Sequence, residues 1–167
     1  RDVRQQEAAA LQVLCRERRV PLIINDDIDL AAMVGAAGVH LGRDDASIVQ
    51  AREQLGPRAF IGVSCYNRFE RARAAAAAGA SYVAFGRFFP SATKPGAAQA
   101  EPGLLEQARA QLDLPVVAIG GITPENAAGL VAAGADLLAV IHGVFGQPDV
   151  EAAARRYAAL FEAADDG

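Results

Sequence analysis

The sequence predicts an α/β fold, a (β/α) barrel in which parallel strands alternate with helices, and three observations carry that prediction. The first is the stretch Val116–Gly146, which reads as one strand–helix–strand unit with little loop. Val116–Ile119 is a wholly apolar run, suited to a strand buried on both faces, and it ends in Gly120–Gly121. Thr123 then suits an N-cap, Pro124 the first helical position and Glu125 the first turn, and Gly134 ends the helix. A second buried run, Leu137–Ile141, follows and ends at His142–Gly143, so the unit is a right-handed crossover between parallel strands. The second observation is a recurring helix end, Gly-Ala and strand, at Gly35–Ala36, Gly79–Ala80 and Gly134–Ala135. Its spacing varies, which marks repeated returns from helix to strand and not a solenoid. The third is that polar or glycine residues close every strand instead of gathering at one switch point. That favours a closed barrel over a doubly wound sheet.

In order along the chain, Arg1–Arg18 reads as an amphipathic helix with Ala8, Leu11, Leu14 and Cys15 on one stripe. Pro21–Asn25 is the first strand and ends in Asn25–Asp26–Asp27. A short helix over Asp29–Val34 stops at Gly35, and Gly38–Leu41 is the next strand. Gly42–Asp45 forms a polar corner before the helix Ala46–Leu55. Phe60–Val63 is a strand ending at Ser64–Cys65, the helix Phe69–Ala78 ends at Gly79, and Tyr82–Phe85 is the strand after it. Gly86–Pro102 is the longest irregular stretch, with Ser91–Ala92–Thr93–Lys94 flanked by Pro90 and Pro95; a loop this long in a tight chain points to function. Helix Gly103–Leu112 leads back to the Val116 unit, and Val150–Ala163 is a last amphipathic helix before an acidic tail.

At 167 residues and 52% apolar, the chain is long enough for one domain, 1–167, with a real core. A net charge of −4 argues against nucleic acid or an anionic membrane as partner. Cys15 and Cys65 show neither metal-ligand spacing nor a disulfide framework, and no apolar run reaches transmembrane length. A reducing, cytoplasmic setting fits these features.

In either α/β architecture the site lies at the carboxyl ends of the strands. There the sequence sets Asn25 and Asp26, the corner with Asp45, Ser64, Gly86 with its Ser91–Lys94 loop, Gly120–Gly121, and Ile141–His142. Two carboxylates from successive units can share a hard divalent cation, most simply Mg²⁺, leaving positions for substrate oxygens. Lys94 and the hydroxyls of Ser64, Ser91 and Thr93 are donors suited to phosphate or diphosphate. Two neighbouring glycine-ended strands offer backbone N–H groups to a phosphate. Each residue has a plainer alternative: Asp26 or Asp45 as a helix N-cap, Lys94 as a solvated lysine, the glycines as turn formers. His40 lies inside a strand, where a buried, hydrogen-bonded histidine is expected; His142, at a strand end, stays open to an acid–base role. Cys65 reads as a small strand-end residue and not a nucleophile.

Taken together, IINDDIDLA, GVHLGRDD, IGVSCYN, YVAFGRFFPSATKP, VVAIGGITPENA and AVIHGVFG strongly resemble the thiamine phosphate synthase family, in order and nearly in spacing from about Leu11 onward. The resemblance implies a (β/α)8 TIM barrel. It implies a transferase that joins hydroxymethylpyrimidine diphosphate to thiazole phosphate, releasing pyrophosphate and forming thiamine phosphate with Mg²⁺. By the same resemblance Asn25 contacts the pyrimidine diphosphate and Asp26 and Asp45 hold Mg²⁺ on it. Ser64 and Lys94 contact the diphosphate and serve the chemistry. Ser91 and Thr93 touch the thiazole phosphate, whose phosphate rests on Gly121 and the main chain at Ile141–His142.

The chain departs from the family pattern at Ser91, where Thr is common and the hydroxyl is kept, and at His142, where Ser is common. A third departure is larger: the Gln-x-Arg-x-Lys segment and two strands that the family places before Arg1 are absent. The expectation is therefore an N-terminally incomplete barrel of six parallel strands against about eight for closure. Roughly 40–60 further N-terminal residues, about two βα units, are expected in the natural protein. The alternatives are a thiazole tautomerase-like isomerase and a non-catalytic barrel fragment that binds a phosphate ligand. The retained Asp26, Asp45 and Lys94 favour the synthase. A homo-oligomer or a fused second domain is left open.

Overall fold

Short apolar runs separated by helix-forming segments fold into six strands and eight helices over the described residues of the computed structural model, 2–42, 47–90 and 99–165. The strands are β1 (Ile23–Asn25), β2 (Gly38–Leu41), β3 (Phe60–Tyr66), β4 (Tyr82–Gly86), β5 (Val116–Ile119) and β6 (Leu137–Ala139). The helices are α1 (Asp2–Glu17), α2 (Ile28–Val34), α3 (Ile48–Leu55), α4 (Phe69–Ala77), α5 (Gly103–Gln111), α6 (Pro124–Ala132), α7 (His142–Phe145) and α8 (Val150–Asp165). Strand order follows chain order from β1 to β6, so the six expected strands and the α/β class are both present. The chain divides into two compact units, one of Arg1–Ser64 with Ala74–Tyr82 and one of Cys65–Arg73 with Val83–Gly167.

In the first unit β1 pairs parallel with β2 and β2 with β3, in a register that sets Asn25 beside His40 and His40 beside Gly62. Ile24, Val39, Leu41 and Ile61 fill the core with Ile28, Leu30 and Ala31 of α2. Asp27 is the N-cap of α2, its carboxylate accepting from the Leu30 N–H at 2.9 Å, and Gly35 closes the helix in the left-handed region at φ 64°. Ser47 caps α3 within a capping box with Gln50.

Helix α1 differs from its predicted stripe. Ala8 is buried and Cys15 half-buried, but Leu11 and Leu14 are 49% and 55% exposed. The contacting face is Ala8, Gln12 and Cys15, spaced i, i+4, i+7. Small Ala8 lets the helix approach α2, and the Gln12 amide donates to the Gly35 carbonyl at 2.5 Å.

In the second unit β4 pairs parallel with β5 and β5 with β6, aligning Gly86 with Ile119 and Ile119 with Ala139. Val83, Phe85, Leu105, Val116 and Leu130 are almost wholly buried. Thr123 and Pro124 open α6 as predicted, the Thr123 N–H donating to Asn126 Oδ1 at 2.8 Å. Two strand ends depart from expectation. β3 continues through Ser64–Cys65 to Tyr66, whose φ of 56° ends it, so Ser64 is a strand residue and not the first of a loop. β6 stops at Ala139, and Leu137 and Ile141 are 50% and 67% exposed, so this run is not a buried strand through Ile141. It is the last strand in order, flanked by β5 alone among the described residues, and the chain turns into α7 at His142.

One side chain ties together the loop ends of the first unit. The Arg52 guanidinium donates to the carbonyls of Gly56, Pro57 and Ala59 at 3.2, 3.1 and 2.6 Å and to that of Gly79 at 3.3 Å. A fork of donors from one planar group is what a lysine cannot copy. Arg52→Met should lower stability by roughly 2–3 kcal/mol in urea unfolding, the range for lost charge-assisted hydrogen bonds, and Arg52→Lys should recover only part. Equal midpoints for all three proteins would make Arg52 a solvated arginine.

Candidate functional site

The carboxyl ends of the strands carry the candidate residues, and each unit presents its own set. In the first unit, Asn25 ends β1 and its amide donates to the Asp26 carboxylate at 2.7 Å. Asp26 is exposed and left-handed at φ 65°, a conformation that Asp and Asn tolerate best among residues with a Cβ. Its backbone N–H is fixed by the His40 carbonyl at 2.8 Å. The capping alternative for Asp26 falls away because the neighbouring Asp27 caps α2 and also pairs with Arg4 at 3.6 Å. An exposed carboxylate is a hard-oxygen donor of the kind that a divalent cation such as Mg²⁺ takes. Among the described residues no group of three or more His, Cys, Asp or Glu is assembled for a metal. Asp45, the second expected ligand, lies outside the described residues. An open cleft of about 600 Å³ is lined by Asn25, Asp26, Asp27, Asp29, Gln50 and Arg4, among others.

Ser64 is half-buried and lies 2.8 Å from His40 Nε2, while His40 Nδ1 lies 3.1 Å from the Tyr82 hydroxyl. The His40 and Tyr82 rings stack at 5.6 Å with 26° between planes. His40 is thus hydrogen-bonded as expected, though half-buried and not sealed in. Gly62 makes the arrangement sterically possible: a Cβ there would come within 1.9 Å of the Tyr82 ring. This trio was not read from the sequence. The signal was present, since period two puts His40 on the opposite face from Val39 and Leu41, and Ser64 on the same face of β3 as Gly62.

In the second unit Gly120 and Gly121 have φ of 99° and 67°, and a Cβ on Gly121 would meet the Pro90 carbonyl oxygen at 2.4 Å, so only glycine fits this turn. The Phe88 and Phe89 N–H groups donate to the Ile119 and Gly120 carbonyls at 3.2 and 3.0 Å, and Asn126 Nδ2 donates to the Gly121 carbonyl at 3.1 Å. Ile141 is exposed and is the N-cap of the four-residue α7, with His142 as its first residue, also exposed. His142 is therefore a helix-start residue, not a strand-end one. Ser91, Thr93 and Lys94 lie outside the described residues.

Cys65 is fully buried, and that burial pushes its thiol from the ordinary 9.0 up to about 11, against opposing effects of Arg71 and the Ala84 backbone. A thiol of this kind is inert at neutral pH, in agreement with its reading as a packing residue. Among the described residues neither cysteine is in a disulfide, and no helix is long and apolar enough to cross a membrane.

Comparison with known proteins adds identity to this geometry. The sequence model of a family described as thiamine monophosphate synthase matches residues 1–144. The thiamine-phosphate synthase of Azoarcus sp. is 61% identical over 155 residues, covering 93% of this chain and 75% of that protein. That of Thiobacillus denitrificans is 58% identical over 160 residues, covering 96% and 76%. Among solved structures, thiamine phosphate pyrophosphorylase from Pyrococcus furiosus superposes with a TM-score of 0.84 at 34% identity, covering 95% of this chain and 75% of that one.

The Cys65 environment has a consequence for alkaline stability. The folded thiol keeps its proton to about pH 11 while the unfolded one loses it near 9.0, so the native state binds more protons in that window. Stability should fall as pH rises through it, and Tyr82, raised from 10.0 to about 12 by burial, adds to the fall at its upper end. Urea midpoints measured at about pH 8 and about pH 10.5 should show a shallower loss in Cys65→Ala than in the parent. Equal slopes would contradict the assignment.

Proposed function

The chain belongs to the thiamine monophosphate synthase family, and from that premise we propose that it joins hydroxymethylpyrimidine diphosphate to thiazole phosphate, giving thiamine phosphate and pyrophosphate. The single observation that carries the activity is close identity, 58–61% across more than nine-tenths of the chain, to proteins that bear the synthase name. The reaction is a transfer at carbon. The bond from the pyrimidine methylene to the diphosphate oxygen breaks, and its electron pair leaves with pyrophosphate. The thiazole nitrogen then supplies the pair for the new C–N bond.

The work asked of the protein is to hold two anions and to stabilise the charge that develops on the departing one. In our reading Asn25 and Ser64 meet the diphosphate as hydrogen-bond donors, with Lys94 neutralising the leaving group. Asp26 and Asp45 would hold Mg²⁺, whose contribution when bound is further charge neutralisation on the diphosphate oxygens. The exposed carboxylate of Asp26, not engaged as a helix cap, supports this role. Ser91 and Thr93 donate to the thiazole phosphate, and Gly121 with the main chain at Ile141–His142 receives its phosphate group. The glycines of the Gly120–Gly121 turn are required by the Arg87–Pro90 backbone packed against them, and the phosphate role assigned to Gly121 rests on membership of the family. The partners are small-molecule phosphates in a cytoplasmic setting, consistent with two cysteines that form no disulfide.

The reading is tested by incubating the protein with both substrates and Mg²⁺ and following thiamine phosphate and pyrophosphate together. One pyrophosphate per thiamine phosphate is expected, and isomerisation of a thiazole phosphate without joining would replace the synthase by the tautomerase. Asp26→Asn should raise the Mg²⁺ concentration needed for half-maximal rate and slow turnover; an unaltered Mg²⁺ dependence would remove Asp26 from the metal. Lys94→Ala should cost about 2–4 kcal/mol of transition-state stabilisation, the loss typical of one electrostatic donor. A near-normal kcat/KM would show that Lys94 is a surface residue.

A further inference from the structure

The roles above use nothing from α8, which lies beyond the residues 1–144 that the family model matches. One of its side chains reaches back to the end of β5. Tyr157 is buried, and its hydroxyl donates to the Ile122 carbonyl, 35 residues earlier, at 3.1 Å. The same oxygen lies against Gly143: a Cβ there would come within 2.2 Å of Tyr157 Oη and 3.0 Å of the Ile122 carbonyl oxygen. Three segments of the second unit therefore meet at this hydroxyl, namely the turn after β5, the start of α7 and α8 itself.

Along that turn each carbonyl is engaged. Those of Ile119 and Gly120 accept from the Phe88 and Phe89 N–H groups, that of Gly121 from Asn126 Nδ2, and that of Ile122 from Tyr157. A trans peptide sets its N–H opposite its C=O. Holding the Gly120 and Gly121 carbonyls on Phe89 and Asn126 thus turns the Gly121 and Ile122 N–H groups away from those partners. The next peptide is clamped at both ends, since Tyr157 takes the Ile122 carbonyl and the Thr123 N–H donates to Asn126 Oδ1 at 2.8 Å. Phe88, Phe89 and Asn126 shape the turn. Tyr157 joins it to the backbone at Gly143, one residue past Ile141–His142. Burial raises the Tyr157 hydroxyl above its ordinary 10.0, the Glu125 charge adds to that and the Arg156 charge opposes it, so at neutral pH the group is a donor.

We propose that Tyr157 is a positioning residue for the thiazole phosphate: its hydroxyl sets the Gly121–Ile122 turn against the backbone of Gly143 and so fixes the spacing of the two main-chain segments that receive the phosphate group. This rests on the reading of Gly121 and Ile141–His142 as that group's cradle. Tyr157 itself touches no substrate. Without its hydroxyl the two segments lose their shared contact, and the ligand must order them on binding, at a cost in affinity.

Steady-state kinetics on the parent, Tyr157→Phe, Gly143→Ala and the double variant test this. Tyr157→Phe keeps the buried ring and removes one hydrogen bond. It should raise KM for the thiazole phosphate about fivefold, the worth of one neutral hydrogen bond, and leave kcat and KM for the pyrimidine diphosphate within about twofold. Gly143→Ala, whose Cβ displaces the hydroxyl, should give the same selective rise. The double variant should be no worse than the weaker single, because both changes break one contact. Equal rises in both KM values, or losses that multiply in the double variant, would make Tyr157 a packing residue and overturn the proposal. The underlying reading has its own readout: thiazole phosphate added to the parent should shift the ¹H–¹⁵N amide signals of Gly121 and His142. Unmoved signals would overturn the cradle and the proposal with it. Moved signals with an unchanged KM in Tyr157→Phe would overturn the proposal alone.

Discussion

Parallel strand register is the constraint on which the rest of this structure depends. Parallel neighbours end on the same side, so each unit delivers its strand-end residues at one level. In the first unit one such level runs from Asn25 at the end of β1 through His40 and Gly62, inside β2 and β3. In the second it runs through Gly86, Ile119 and Ala139. A slip of one residue would reverse every side chain between faces. It would place Val39 where His40 stands and remove the contact to Ser64.

That register is enforced by burial and not by the polar groups it displays. Val39, Ile61, Val83, Phe85 and Val116 are nearly inaccessible, and each fully buried aliphatic or aromatic side chain contributes on the order of 1.5–3 kcal/mol. Against that background the polar strand positions are few, and no polar or charged residue among the described ones is buried. Half-burial of His40, Ser64 and Tyr82 is a compromise: enough exclusion of water to orient their hydrogen bonds, with access left for a ligand. At Asp26 and Gly121 the backbone enters the left-handed region. Such conformations recur at sites because surrounding contacts over-determine them, here the His40 carbonyl and the Asn126 amide.

Much of this was legible in the sequence, for physical reasons that differ by element. The limits of β2 and β5 are legible because each is a short run, apolar but for His40 in β2, bounded by turn residues. The α6 start was legible because Thr-Pro-Glu is a local signal that needs no tertiary context. α1 was misread because amphipathic periodicity reports which face is apolar, not which face is covered; a small alanine and a glutamine amide decided the contact. The end of β6 was misread because an apolar run has no period that separates strand from the turn into α7. Of the site, the strand-end list followed from the fold alone. The cap of α2 by Asp27, not Asp26, is a local matter of which carboxylate reaches the Leu30 N–H, whereas the link from His40 to Ser64 and Tyr82 depends on distances between elements that no single stretch encodes.

The most direct measurement of the central claim is a crystal structure of the protein with pyrophosphate, Mg²⁺ and thiazole phosphate. The account predicts pyrophosphate oxygens within hydrogen-bond distance of Ser64 Oγ and Asn25, the metal on the Asp26 carboxylate, and the thiazole phosphate group against the Gly120–Gly121 turn. Pyrophosphate bound away from Ser64, with Asp26 bare of metal, would contradict it.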